Sequence, residues 1–123
     1  DFTYIDDVIE GVIRVIENPA QADPENEISQ APYKIYNIGN NTPIDLMDFI
    51  RCIEHELGKE AQKNFLDAQP GDVPITWANS DALVKELGYK PHTPLEKGIH
   101  EFVKWYKDFY HLEPLQKELI EKY

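Results

Sequence analysis

A chain of 123 residues, 41% hydrophobic and 28% charged, has the makeup of one globular domain and not of a disordered segment. Its formal net charge of −11 opposes phosphate backbones and anionic lipid, which argues against nucleic-acid and membrane-surface roles. Cys52 is the one cysteine, so no intrachain disulfide is possible and a reducing, cytoplasmic setting fits; no apolar run approaches membrane-spanning length, and no secretory signal opens the chain.

Asp1-Phe2-Thr3-Tyr4 carries no initiator Met and runs at once into a helix, which reads as a cut from a longer polypeptide. In that helix Ile5, Val8, Ile9, Val12, Ile13 and Ile16 recur at helical spacing and form one apolar stripe. Asp6 and Asp7 occupy its first turn, where carboxylates complement the helix dipole, and Asn18-Pro19 ends it. Residues 21–32 are polar and acidic with two prolines and read as a surface loop.

Lys34-Ile35-Tyr36-Asn37-Ile38 is β-rich and closes on Gly39-Asn40-Asn41, predicting a strand and a turn in which Asn37 and Asn40 tolerate positive φ. Asp45 is the expected N-cap of a second helix with Leu46, Phe49, Ile50, Ile53 and Leu57 inward and Gly58 at its end. A second strand is expected at 63–66 and a further extended run at 75–78, separated by Gln69-Pro70-Gly71-Asp72-Val73-Pro74, whose prolines and glycine forbid regular structure.

Asn79-Ser80-Asp81 opens a third helix that buries Leu83, Val84 and Leu87 and stops at Gly88. Thr93-Pro94-Leu95-Glu96 reads as a capping box with Pro94 at the first helical position. The fourth helix then carries Leu95, Ile99, Phe102, Val103, Tyr106 and Phe109 on one face, and a helical tail with Leu115, Leu119 and Ile120 follows a break at Pro114. The whole is a mixed α/β chain, mainly helices with two or three short strands. The first-helix stripe has little here to pack against.

No G-x-G-x-x-G turn is present to cradle a dinucleotide pyrophosphate, and no Tyr is followed four residues later by Lys. Hence no catalytic and no cofactor-binding residue is assigned within residues 1–123. His55, His92, His100 and His111 lack metal-ligand spacing, and Asp23, Glu25 and Glu27 lack the glycine and terminal glutamate of a calcium loop, so no metal ligand is assigned either. Cys52 has no adjacent His and reads as inert, while Trp77 reads as a core or interdomain packing residue.

Three stretches, Asp1-Phe2-Thr3-Tyr4-Ile5-Asp6-Asp7-Val8, Tyr36-Asn37-Ile38-Gly39-Asn40 and Gln69-Pro70-Gly71-Asp72-Val73-Pro74, resemble the R-D-F-T-Y-I-D-D, Y-N-I-G-N and Q-P-G-D-V-P segments of NAD-dependent nucleotide-sugar epimerases and dehydratases. Leu87-Gly88-Tyr89-Lys90-Pro91-His92-Thr93-Pro94-Leu95 and Trp105-Tyr106 match in the same order. These are extended short-chain dehydrogenase/reductases, and Gln69, where much of the family has Arg, is similar to the UDP-glucuronate 4-epimerase branch. The resemblance implies that residues 1–123 are the carboxy-terminal, substrate-binding domain of such an enzyme without its Rossmann domain. That missing domain would hold NAD and the catalytic Tyr and Lys. The implied parent reaction is an interconversion of UDP-sugars at C4 through a 4-keto intermediate, and the chain alone would be inactive. The acidity of this portion then requires that the cations neutralising the diphosphate come mostly from elsewhere.

For Asp72 the resemblance implies a carboxylate that accepts from the ribose hydroxyls of UDP; on the residues alone it reads as a turn aspartate satisfying its own backbone. Gln69 either donates to a uridine or phosphate oxygen or faces solvent. Phe2 either lies against ribose or base or staples the following helix. Tyr4 either faces substrate or is buried with one hydrogen bond. The reading expects Asp72 and Phe2 to share one concavity, and expects the bare first-helix stripe to drive self-association. A dehydratase or decarboxylase of the same family is the alternative within the class, and a non-enzymatic acidic interaction domain the alternative outside it.

Overall fold

The computed structural model describes residues 1–22, 24–25 and 31–112, which form four helices: α1 (Ile5–Glu17), α2 (Leu46–Leu57), α3 (Asp81–Leu87) and α4 (Leu95–Phe109). The positions Asp23 and Glu27 of the acidic loop, and Leu115, Leu119 and Ile120 of the tail, lie outside the described residues.

The local signals act as the chemistry requires. At the end of α1 the Asn18 N–H reaches back to Arg14 O and Val15 O, and Pro19 follows. Asp45 caps α2 by accepting from the Met47 N–H at 2.7 Å, and Gly58 ends it at φ 64°, in the left-handed region where a Cβ is costly. Gly88 ends α3 in the same way at φ 62°. The start of α4 differs from expectation. Pro94 stands at the N-cap, with no side-chain cap bond, and the helix begins at Leu95. The Thr93 N–H is drawn instead to the carboxylate of Asp7 at 2.8 Å, so the segment before α4 answers to α1 and not to its own helix.

Helix α2 packs on α4, and α1 contacts α3. Among the described residues, Leu83, Tyr89, Ile99 and Val103 are the buried hydrophobic ones, with Ser80 and Asp7 the buried polar ones. Arg14 bridges α1 to the end of α3: its guanidinium lies 5.0 Å from the centre of the Tyr89 ring and donates to Leu87 O at 3.4 Å. Most of the α1 stripe stays bare, with Ile16 72% and Ile5 59% exposed.

The strands expected at 34–38 and 63–66, and the extended run at 75–78, form no strand among the described residues. A strand exists only when a neighbour accepts its row of N–H and C=O groups, and these segments are held by side chains. Tyr36 Oη donates to Glu86 at 2.8 Å and Lys34 pairs with the same carboxylate at 2.9 Å. The Ala61 N–H donates to Glu54 at 2.7 Å, and Lys63 pairs with it. Asn41, and not Asn37 or Asn40, takes the positive φ of the turn, at 55°.

Candidate functional site

Loop 69–74 is a closed turn. The Asp72 N–H donates to Gln69 O at 3.0 Å, and the Gln69 N–H donates to Asp72 Oδ2 at 2.9 Å. Gly71 permits this by taking φ 97°, which an L side chain rarely adopts. The Gln69 side chain donates to Asp67 O at 3.3 Å, and residues 67–73 are all exposed. Asp72 therefore does what a turn aspartate does, through one carboxylate oxygen.

Phe2 lies elsewhere. Its ring stacks on Phe49 of α2 with centroids 4.0 Å apart and planes at 18°, so it staples α1 to a neighbouring helix and not to its own next turn. Together with Tyr4, Ile53, Leu95, Phe102 and Trp105 it lines a concavity of about 890 Å³. Glu101 is the one charged residue on that lining, and no cation faces it, which suits apolar surface and not a diphosphate. Asp72 and Gln69 are on the lining neither of this concavity nor of three further ones among the described residues.

The start of α1 is nevertheless tied to the segment that follows the turn. The Asp1 nitrogen donates to Thr76 O at 3.0 Å and to Thr76 Oγ1 at 2.8 Å. Asp1 Oδ2 accepts from the N–H groups of Ala78 (2.9 Å) and Asn41 (3.0 Å), and Thr3 Oγ1 accepts from the Asn40 N–H at 3.1 Å. Three segments far apart in sequence thus run together here. Trp77, between two of them, is 68% exposed and gives its indole N–H to Asn41 Oδ1, so it is no core residue of this chain.

Asp7 is the residue the sequence reading undervalued. It is 5% exposed, and its Oδ2 accepts from the N–H groups of His92 (3.2 Å) and Thr93 (2.8 Å). Burial pushes its carboxyl up, but the hydrogen bonds from Thr93 and His92 outweigh burial and hold it below the ordinary value of 3.8. Tyr89 Oη donates to Asp7 O at 2.9 Å and lies 3.4 Å from Oδ1. Burial first, and then the negative charge of Asp7, push the Tyr89 hydroxyl up to about 12. The one available signal was the second of two adjacent aspartates in a first turn that needs only one. Cys52 sits on α2, where burial and the charges of Glu96 and Asp48 push its thiol up and away from the reactive thiolate.

Among the described residues, α1, α2, α3 and α4 start after Tyr4, Asp45, Ser80 and Pro94, and none of these starts is a glycine-rich turn leaving a strand. They do not fit a dinucleotide. No helix among them is long and apolar enough to cross a membrane.

No family model matches the chain. It is 50% identical over 117 residues to the protein CapI of Staphylococcus aureus and 37% identical over 118 residues to a probable UDP-glucuronate 4-epimerase of Rhizobium meliloti. Each alignment covers 89% of this chain and 35% of the relative, so the chain spans about a third of the length of the curated relatives it matches. Among solved structures, the Bacillus cereus UDP-glucuronic acid 4-epimerase in complex with UDP-glucuronic acid and NAD superposes with a TM-score of 0.71 at 32% identity, over 89% of this chain and 32% of that one. A UDP-glucose 4-epimerase from Bifidobacterium longum, in complex with NAD⁺ and UDP, reaches the same TM-score of 0.71 at 20% identity, over 88% of this chain and 30% of that one, and shows a shared fold alone.

In sequence and in fold the chain is similar to about a third of the length of UDP-sugar epimerases, whose solved structures hold NAD. Within that class its likeness, at 32–37% identity, is to UDP-glucuronate 4-epimerases.

Proposed function

We propose that the chain is the carboxy-terminal, substrate-side portion of a UDP-glucuronate 4-epimerase, and that it positions the UDP moiety while a separate Rossmann domain carries out the chemistry. The observation that carries this reading is the turn at 69–74. Its reciprocal Gln69–Asp72 bonds use Asp72 Oδ2 and fix an exposed carboxylate whose second oxygen belongs to no bond of the turn. A carboxylate held in place is a suitable acceptor for the vicinal hydroxyls of a ribose. Gln69, its own N–H spent on Asp72, joins it as a polar neighbour of the uridine or the phosphates. Phe2, stacked on Phe49, contributes as packing between the start of α1 and α2.

The reading makes the chain inactive alone. NAD belongs to the Rossmann domain, since the residues described here do not fit it. The energetic role of this portion is orientation: contacts to UDP, remote from the sugar's C4, hold the reacting carbon in place. A cytoplasmic setting belongs to the same proposal, on the strength of a single cysteine. The bare α1 stripe supports a docking partner in the remainder of the parent, and self-association when that partner is missing. A dehydratase or decarboxylase parent would share this wall, and product analysis of the full-length enzyme separates them.

The test has two arms. The 123-residue chain, assayed with UDP-glucuronate and NAD, is expected to show no turnover and no NAD binding; measurable turnover would sink the fragment reading. In the full-length enzyme, Asp72→Ala is expected to raise KM for the UDP-sugar by about tenfold or more with kcat changed less, the signature of a lost binding contact. An unchanged KM removes Asp72 from the site.

A further inference from the structure

Two concavities meet at the joint between α1 and α4. The larger, of about 890 Å³, and a smaller one of about 380 Å³ share Tyr4, Thr93 and Glu101 on their linings. Tyr4 lies across the joint with its ring against Gly98: a Cβ at Gly98 would stand 3.3 Å from the Tyr4 ring and 3.6 Å from its Cβ. Nothing in the Tyr4–Gly98 contact is directional, so the contact alone does not fix where the start of α1 sits. The directional bonds are those of Asp7, one turn further along α1, to the backbone of His92 and Thr93.

We infer that Asp7 is the positioning residue of the apolar concavity at the joint of α1 and α4: its side chain locks the segment before α4 to the first turn of α1 and thereby sets where Tyr4 and Phe2 stand. The geometry leaves it little freedom. Oδ2 takes both N–H groups, the Asp7 carbonyl takes the Tyr89 hydroxyl, and the residue as a whole is buried. With Oδ2 removed, two N–H groups beside α4 lose their acceptor and no directional bond remains among these residues to hold Thr93 and Pro94 beside Tyr4. Phe2 is two residues ahead of Tyr4 on the same stretch of chain and is held as well by its stacking on Phe49 and by the bonds of its neighbours Asp1 and Thr3, so Tyr4 is the residue that depends most on Asp7. The inference stands on this geometry and not on the substrate-wall reading.

The experiment is NMR of the full 123-residue chain. Asp7→Ala is expected to abolish the Tyr4–Gly98 and weaken the Phe2–Phe49 nuclear Overhauser contacts, while Ile99 and Val103 signals stay in place. Asp7→Asn keeps one carbonyl oxygen for the His92 and Thr93 N–H groups and offers its amide to Tyr89, so it is expected to restore both contacts; a general loss of packing would not be rescued this way. Should Asp7→Ala unfold the chain, Asp7→Leu decides, since it fills the space of the carboxylate and removes the acceptor: displaced Tyr4 signals support the assignment. Unmoved Tyr4 signals in a folded Asp7→Ala, or in Asp7→Leu where Asp7→Ala unfolds, overturn it. Titration with UDP is a separate readout. If wild type shows no response to UDP while Asp7→Ala still displaces Tyr4, the nucleotide reading fails and the positioning role stands.

Discussion

Gly39 is packed against Ala78 so closely that a Cβ at position 39 would collide with the Ala78 methyl and approach Asp1 Oδ2 to 3.3 Å. Two segments 39 residues apart therefore depend on the absence of a single carbon. Gly39→Ala is expected to destabilise the chain by about 1–3 kcal/mol, the usual cost of overpacking, read as a lower denaturant midpoint. Gly39→Ala combined with Ala78→Gly moves the carbon to the other partner and is expected to recover much of the loss. A double variant no more stable than the single one contradicts the direct collision.

The cap on α2 is a local and independent contribution. Asp45 accepts from the Met47 N–H at 2.7 Å from an exposed position. Asp45→Ala is expected to cost about 1 kcal/mol, and Asp45→Ser much less, because a hydroxyl can take the same N–H. Equal losses in both variants would mean that the cap is not what the aspartate supplies.

The acid side of the stability profile belongs in part to Asp7. Its carboxyl is held below its ordinary value, since the bonds from Thr93 and His92 outweigh its burial. A depressed carboxyl contributes stability that is complete above the ordinary carboxylate range and is lost as pH falls through the folded value. The denaturant midpoint of wild type is expected to drop below about pH 4, and that of Asp7→Asn to be lower at neutral pH but flatter in acid. A profile with the same acid slope in both proteins would assign the loss to other carboxylates.

On the alkaline side the sign reverses. Tyr89, pushed up to about 12 from an ordinary 10.0, keeps its proton in the folded chain where the unfolded chain has lost it. Its contribution is complete below the ordinary value and declines as pH rises from 10.0 toward 12. A spectrophotometric titration is expected to show one tyrosine that ionises last, and Tyr89→Phe to lack that step. Retention of the late step in Tyr89→Phe would place it on another tyrosine.

Ile9 and Ile13 stand 49% and 43% exposed on a helix whose apolar face is left bare by the described residues. The isolated chain is expected to self-associate in sedimentation. With a net charge of −11 opposing the approach of two copies, association is expected to strengthen as salt screens it. Ile9→Glu with Ile13→Glu is expected to yield a monomer. A wild-type chain that sediments as a monomer at high salt and high concentration removes this expectation.

What could be read in the sequence was what is local. The α1 stripe, the Asp45 cap, and Gly58 and Gly88 act within one or two turns, and α1, α2 and α3 stand where those signals put them. The turn at Gln69–Asp72 was legible for the same reason, since both its bonds close over three residues. Relations set by distant partners were not legible. Lys34–Ile38 has the composition of a strand, but composition supplies no pairing neighbour. Thr93-Pro94-Leu95-Glu96 spells a capping box, but Asp7, 86 residues away, takes the Thr93 N–H. Phe2 was expected beside Asp72, and only coordinates reveal that Phe49 claims its ring.

The bonds that secure the start of α1 carry a consequence for folding. Asp1 draws its partners from Asn41, Thr76 and Ala78, and Asp7 from Tyr89, His92 and Thr93. Loop closure over such separations is slow beside helix formation. The helix therefore forms before it is seated, and the seating of its first turn is a late step of folding.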